Sequence, residues 1–215
     1  MKTKSACEPD VRKELFRELY PFASHWYDLG RARMHYVDVG QGPVLLMIHA
    51  CPMWSFEFRR LISAFSTQYR VIAIDQMGFG LSDKPKKFDY RIETHIDCLE
   101  RFIKHLNLKN ITFILHGRGA AIGMGCAIRM AEDVRAFAIM NAMAFSDFSL
   151  PWRLQICKIP WIGPQIVLHS KIFFHGMENC SQAVKDGYMA PFRDKSSEYP
   201  LLRFIKDIPC APEDD

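Results

Sequence analysis

A chain of 215 residues that is 49% hydrophobic and 13% aromatic carries enough apolar side chain for one packed domain, which excludes a disordered chain. Its net charge of +4 is modest and its basic residues are spread along the sequence, which argues against a surface that tracks nucleic-acid phosphates. Seven cysteines, an odd number with no CxxC pair, argue against both a zinc site and a disulfide framework, and no cofactor is indicated.

Residues 1–23 mix acids and bases without an apolar core of signal-peptide length, and read as a helical arm. No later apolar run approaches the roughly 20 residues of a membrane span, so the sequence reads as cytoplasmic. From residue 24 to 145, short β-branched runs alternate with helical patterns, the signature of a sheet wrapped by crossover helices. Residues 24–29 and 34–39 flank a turn at Gly30 and predict an antiparallel hairpin. The runs 44–49, 71–75, 111–116 and 136–142 are too apolar for one solvated face and predict central parallel strands. A helix over 55–66 presents Phe58, Ile62 and Phe65 to the sheet. A second over 92–106 presents Ile92, Ile96, Leu99, Phe102, Ile103 and Leu106. The stretch 120–131 is rich in Gly and small residues and predicts a helix that approaches the sheet closely after a tight turn, which places Gly117 on the strand-to-helix corner. The basic run KPKK at Lys84 to Lys87 follows a turn and reads as a solvated loop. Beyond residue 145, Pro and Gly break short apolar helices, and 146–215 reads as a helical cap region. Its apolar groups, Trp152, Trp161 and Phe173 among them, are explained more simply by packing over a pocket than by contact with a membrane.

The corner reads L-H-G-R-G-A, and ITFILHGRGAAIGMGCAIRM resembles the haloalkane-dehalogenase group of the α/β hydrolases, whose strand is followed by H-D-W-G-G. Two further stretches, HACPMWSFEFRR against H-G-N-P-T-W-S-F and DQMGFGLSDKP against D-x-x-G-x-G-x-S-D-K-P, resemble the same group in the same order. YPF near the start, LPWRLQIC with WIGP, and LRFIKDIP near the end are similar to the β-lactone decarboxylases of bacterial olefin biosynthesis. The resemblance spans residues 20–212 and implies an α/β-hydrolase fold, a mostly parallel sheet with a helical cap.

In that family an Asp on the corner forms a covalent ester that a His-activated water hydrolyses, the His being oriented by a second acid. The Asp of the pattern falls on Gly117, which has no side chain to attack with, and its neighbours His116 and Arg118 do not replace it. The family's leaving-group donors, the Asn of H-G-N-P and the Trp after the nucleophile, fall on Cys51 and Arg118. Their backbone N–H groups could still form an oxyanion hole, because that role needs only turn geometry. The Arg118 side chain either contacts an anion or bends out to solvent. His49, Trp54 and His116 match pocket positions, His116 in a structural role and His49 as a hydrogen-bonded residue and not a base. Asn141 stands where some members keep the orienting acid, Asp147 reads as a surface residue, and Asp75 and Asp83 read as turn-shaping.

The resemblance also implies two more parallel strands after Asp207-Ile208-Pro209, carrying the base His and, in many members, the acid, whereas this sequence ends at APEDD. Six of the usual eight strands are therefore expected, with the sixth an uncovered edge open to a partner protein. The functional expectation is an enzyme-family member that is inactive as written, related to enzymes of apolar, lipid-like substrates. The alternatives are a lipid-binding or scaffold module and one part of a split enzyme.

Overall fold

The computed structural model describes residues 16–142, 155–161, 163, 166, 177, 179–192 and 197–208. Six strands form one mixed sheet: β1 (His25–Asp28), β2 (Arg33–Val39), β3 (Val44–Ile48), β4 (Arg70–Ile74), β5 (Ile111–His116) and β6 (Val134–Met140), in the order β1-β2-β4-β3-β5-β6. β1 and β2 pair antiparallel, and β2 pairs antiparallel with β4. The pairs β4 with β3, β3 with β5 and β5 with β6 are parallel. Parallel neighbours need crossover connections, and the helices α1 (Arg59–Phe65), α2 (Ile92–His105) and α3 (Gly119–Arg129) supply them. Toward the end of the described residues lie the helices α4 (Gln182–Met189) and α5 (Glu198–Lys206). Among the described residues no helix is long and apolar enough to cross a membrane.

Successive strand residues face opposite sides of the sheet, and the core divides accordingly. Leu46, Ile48, Ile72, Ile74, Phe113 and Leu115 pack with α2, α3 and α5, while Leu45, Met47, Val71 and Ala73 meet Trp54, Phe56, Phe58 and Ile62 on the other face. The arm enters this second core through Phe16 and Tyr20, and its described end is a single turn before β1.

Two expectations need correction. Residues 55–66 start as a 3-10 helix over Ser55–Phe58 before α1, and the tighter winding shifts the phase of the stripe. Phe58 and Ile62 are buried as expected, but Phe65 turns outward onto Tyr69. The run 136–142 is the strand β6, starting at Val134; among the described residues it is the edge strand expected of the sixth, and not the central strand that its apolarity alone predicts. Phe137 and Ile139 are 44% and 48% exposed, because apolarity shows that a strand suits burial and not which neighbours are present to bury it.

The turn after β4 winds around one carboxylate. Asp75 Oδ1 accepts from Ser55 N at 2.8 Å; Oδ2 accepts from Leu81 N at 2.8 Å and meets His35 Nδ1 at 2.9 Å. Gly80, at φ +52°, lies so close that a Cβ there would sit 2.2 Å from Asp75 Oδ2. Asp83 accepts from Arg33 N at 2.8 Å and ties the same turn to β2. Burial alone would raise the Asp75 carboxyl, but the charge and hydrogen bond of His35, with the Leu81 N–H, hold it below the ordinary carboxylate value. A carboxyl lowered in the folded state stabilises fully above its unfolded value near pH 4, and that contribution is lost as pH falls through the folded value. Asp75→Ala is expected to lower the free energy of urea unfolding at neutral pH by about 3–5 kcal/mol, since it strands His35 in a fully buried site.

Candidate functional site at the turn after β5

β5 ends at His116 and α3 starts at Gly119, so two residues make the corner. Gly117 has φ +53°, where a side chain is strained by roughly 1–3 kcal/mol. Its N–H donates to Met140 O at 3.2 Å, which continues the β5–β6 ladder into the turn, and its carbonyl accepts from Ala120 N at 3.1 Å. A Cβ built on Gly117 would lie 2.8 Å from the Ala50 methyl carbon and 3.4 Å from Ala50 Cα. Ala50 stands where the family pattern H-G-N-P has glycine, so the methyl missing at the corner is present across from it.

The loop after β3 is fixed from several sides. His49 is fully buried; its Nε2 accepts from Gln76 N at 2.9 Å, its Nδ1 donates to Ala50 O at 2.9 Å, and its carbonyl accepts from Gln76 Nε2 at 2.9 Å. Both ring nitrogens are therefore committed to backbone groups, and His49 has no lone pair left to act as a base. Trp54 is fully buried against Phe16, Tyr20 and Phe56, and supports the loop from beneath. Burial pushes the Cys51 thiol far up, against the opposing pull of Arg118, so it stands as a neutral thiol and not as a thiolate nucleophile. Among the described residues, neither the Cys51 nor the Arg118 backbone N–H finds a protein acceptor.

Glu57 went unnoticed in the sequence, where a Glu on an amphipathic helix reads as solvated. It links the two sides of the corner: Oε1 accepts from Ala50 N at 3.0 Å and Oε2 meets His116 Nδ1 at 3.2 Å. The Glu57 hydrogen bond and charge hold the His116 imidazole above its ordinary value, against burial.

Arg118 takes neither of the two courses open to it in the sequence. It is buried; Nη1 donates to Phe204 O at 2.7 Å, and Nη2 reaches Asp207 O at 3.5 Å and Oδ2 at 3.4 Å. The guanidinium lies 4.3 Å from the centre of the Phe204 ring. It thus closes the carbonyl end of α5, where a cation opposes the helix dipole favourably. Asp207 Oδ2 accepts from Ile92 N at 2.9 Å and caps α2 in turn. Asn141 follows β6 in the left-handed region and is exposed, and Asp147 lies outside the described residues. Among the described residues, no group of three or more His, Cys, Asp or Glu is placed to hold a metal ion.

Arg118→Ala removes two or more charge-assisted hydrogen bonds from a buried site and is expected to lower unfolding free energy by about 2–3 kcal/mol, with faster amide exchange across α5. A histidine raised in the folded state stabilises fully below its unfolded value near pH 6.5, and the gain is lost as pH rises through the folded value. Wild type should therefore exceed His116→Asn in stability by up to about 1 kcal/mol near pH 5.5 and by little near pH 9, as read from urea unfolding at both pH values.

Three comparisons bear on this geometry. The family model for the alpha/beta hydrolase fold matches residues 43–186. The cis-3-alkyl-4-alkyloxetan-2-one decarboxylase of Shewanella oneidensis is 36% identical over 209 residues, covering 91% of this chain and 66% of that protein. Haloalkane dehalogenase 2 of Mycobacterium tuberculosis is 40% identical over 124 residues, covering 58% of this chain and 43% of that one. The chain thus spans two thirds or less of these relatives. Among solved structures, the haloalkane dehalogenase of Paraglaciecola agarilytica superposes with a TM-score of 0.80 at 27% identity, covering 98% of this chain and 74% of that chain. An ancestral haloalkane dehalogenase gives 0.79 at 27%, covering 88% and 71%. The chain belongs to the alpha/beta hydrolase fold family, in the group that holds the haloalkane dehalogenases and the cis-3-alkyl-4-alkyloxetan-2-one decarboxylases.

Proposed function

We propose that this chain is a family member without covalent catalysis at the β5–α3 corner. The observation that carries the reading is the Ala50 methyl, which takes the space that the Cβ of a side chain at position 117 needs. Three further features support it. Cys51 is held as a neutral thiol, Arg118 is turned into α5, and both Glu57 oxygens are committed to the loop and to His116. On this reading the Cys51 and Arg118 backbone N–H groups, which have no protein acceptor among the described residues, serve an oxyanion or carbonyl oxygen at a corner whose residue 117 has no side chain to attack it.

A second reading rests on the apolar edge of β6, which pairs on one side only among the described residues, with Phe137, Ile139 and Met140 exposed. There the chain is a non-covalent binding module or one part of a split enzyme, with a partner strand on β6 and an apolar, lipid-like ligand between sheet and cap. The oxetanone in the name of the decarboxylase relatives, a four-membered lactone with two alkyl groups, is the ligand chemistry that this reading takes over. A saturable rise in melting temperature with a long-chain β-lactone, without turnover, distinguishes binding from a vacant fold.

The steric claim is tested by a double-mutant cycle. Gly117→Asp alone is expected to cost about 2–5 kcal/mol from left-handed strain and overpacking against Ala50, a fall in melting temperature of roughly 5–15 °C. Ala50→Gly combined with Gly117→Asp should recover about half of that loss. Equal stability of the single and double variants would show that Ala50 does not close the corner. Turnover of a β-lactone or haloalkane by the unaltered chain contradicts the reading outright, and its loss in His116→Asn would assign a base role to the Glu57–His116 pair.

A further inference from the structure

A groove of about 760 Å³ lies away from the corner, where the β1–β2 turn, the loop after β4 and the face of α2 from Thr94 to Arg101 meet. Its place at the β2 and β4 side of the sheet sets it two to three strand spacings from Gly117, on the order of 10–15 Å. The volume is in the range of small-molecule sites. Three segments distant in sequence bring four cations to its rim: Arg31 from the turn, Lys86 and Lys87 from the loop, and Arg101 from α2. The α2 lining residues Thr94, Asp97, Cys98 and Arg101 fall at helical spacing, so one face of the helix forms one wall.

The charge around the groove is unbalanced. Asp97, part of the lining, is paired with Arg129 Nη1 at 2.5 Å, while Asp28 and Asp89 beside the groove accept only from backbone N–H groups and keep their charge, so the four cations still outnumber the unpaired carboxylates. Among the described residues, Arg31, Lys86, Lys87 and Arg101 each lack a carboxylate partner at ion-pair distance. The floor is apolar, built from Leu29, Met77 and Phe88, with Cys98, whose thiol burial pushes up to about 11 and keeps neutral. Four like charges held over an apolar floor repel one another, and an anion relieves that repulsion while its apolar part covers the floor.

We propose that this groove binds a small amphipathic anion, its alkyl chain on Leu29, Met77 and Phe88 and its phosphate or carboxylate among Arg31, Lys86, Lys87 and Arg101. The ligand is a single free amphiphile, with one site per chain. Because the groove shares no residue with the corner, this inference stands whether or not the corner is catalytic.

The full chain is titrated calorimetrically with dodecyl phosphate and with dodecanoate below their micelle concentrations, and with dodecanol and inorganic phosphate as single-feature controls. At least one of the two anions is expected to bind at one site per chain, at least tenfold more tightly than either control, and more weakly as salt rises. The arm that binds more tightly identifies the head group. Lys86→Glu with Lys87→Glu on the exposed loop, and separately Arg101→Glu on the exposed face of α2, should each weaken that binding at least tenfold at unchanged melting temperature. Equal affinity for dodecanol, affinity indifferent to both charge variants, or binding seen only with anionic phosphatidylglycerol vesicles would overturn the proposal.

Discussion

The approach of Ala50 to Gly117 is the constraint on which the reading of this protein turns. Strand and helix meet at an angle that only a left-handed residue can make, and in this family that strain is what lifts a carboxylate toward a substrate. Here the strained residue carries no side chain, and the opposite loop has moved a methyl into the gap. A core packed to organic-crystal density leaves little room for such a methyl to yield. The two positions therefore depend on each other: glycine at 117 permits alanine at 50, and alanine at 50 disfavours anything but glycine at 117.

The surroundings of the corner have been tied into the scaffold. Glu57 holds the β3 loop and the end of β5 together by accepting from Ala50 N and pairing with His116. Arg118 joins the start of α3 to the end of α5, and Asp207 carries that connection on to the start of α2. The Arg118 side chain, at a position where the resemblance places a leaving-group donor, here satisfies the end of α5. Such commitments favour rigidity, because each buried polar atom that loses its partner is costly.

The sheet, the order of its elements and the corner at Gly117 were legible in the sequence. Apolar runs and helical stripes have distinct periods, and three motifs resembled one family in one order. Less legible was whatever depends on a distant neighbour. The direction of Arg118 is set by Phe204, 86 residues away, and β6 reads as buried or as an edge according to what lies beside it. Phe65 missed the core because a 3-10 turn changed the phase of its helix, a difference that an averaged period does not register. Ala50 was visible as H-A-C-P against H-G-N-P, but its meaning needed the 2.8 Å approach. The KPKK run read as solvated, and only the fold brings Lys86 and Lys87 beside Arg31 and Arg101.

Intact mass and peptide mapping after incubation with an alkyl β-lactone and with a haloalkane test most directly whether the corner can attack. An unmodified mass across residues 111–129 and at Glu57 is expected at any exposure time. A stoichiometric ester adduct on either would mean that a nucleophile operates beside Gly117.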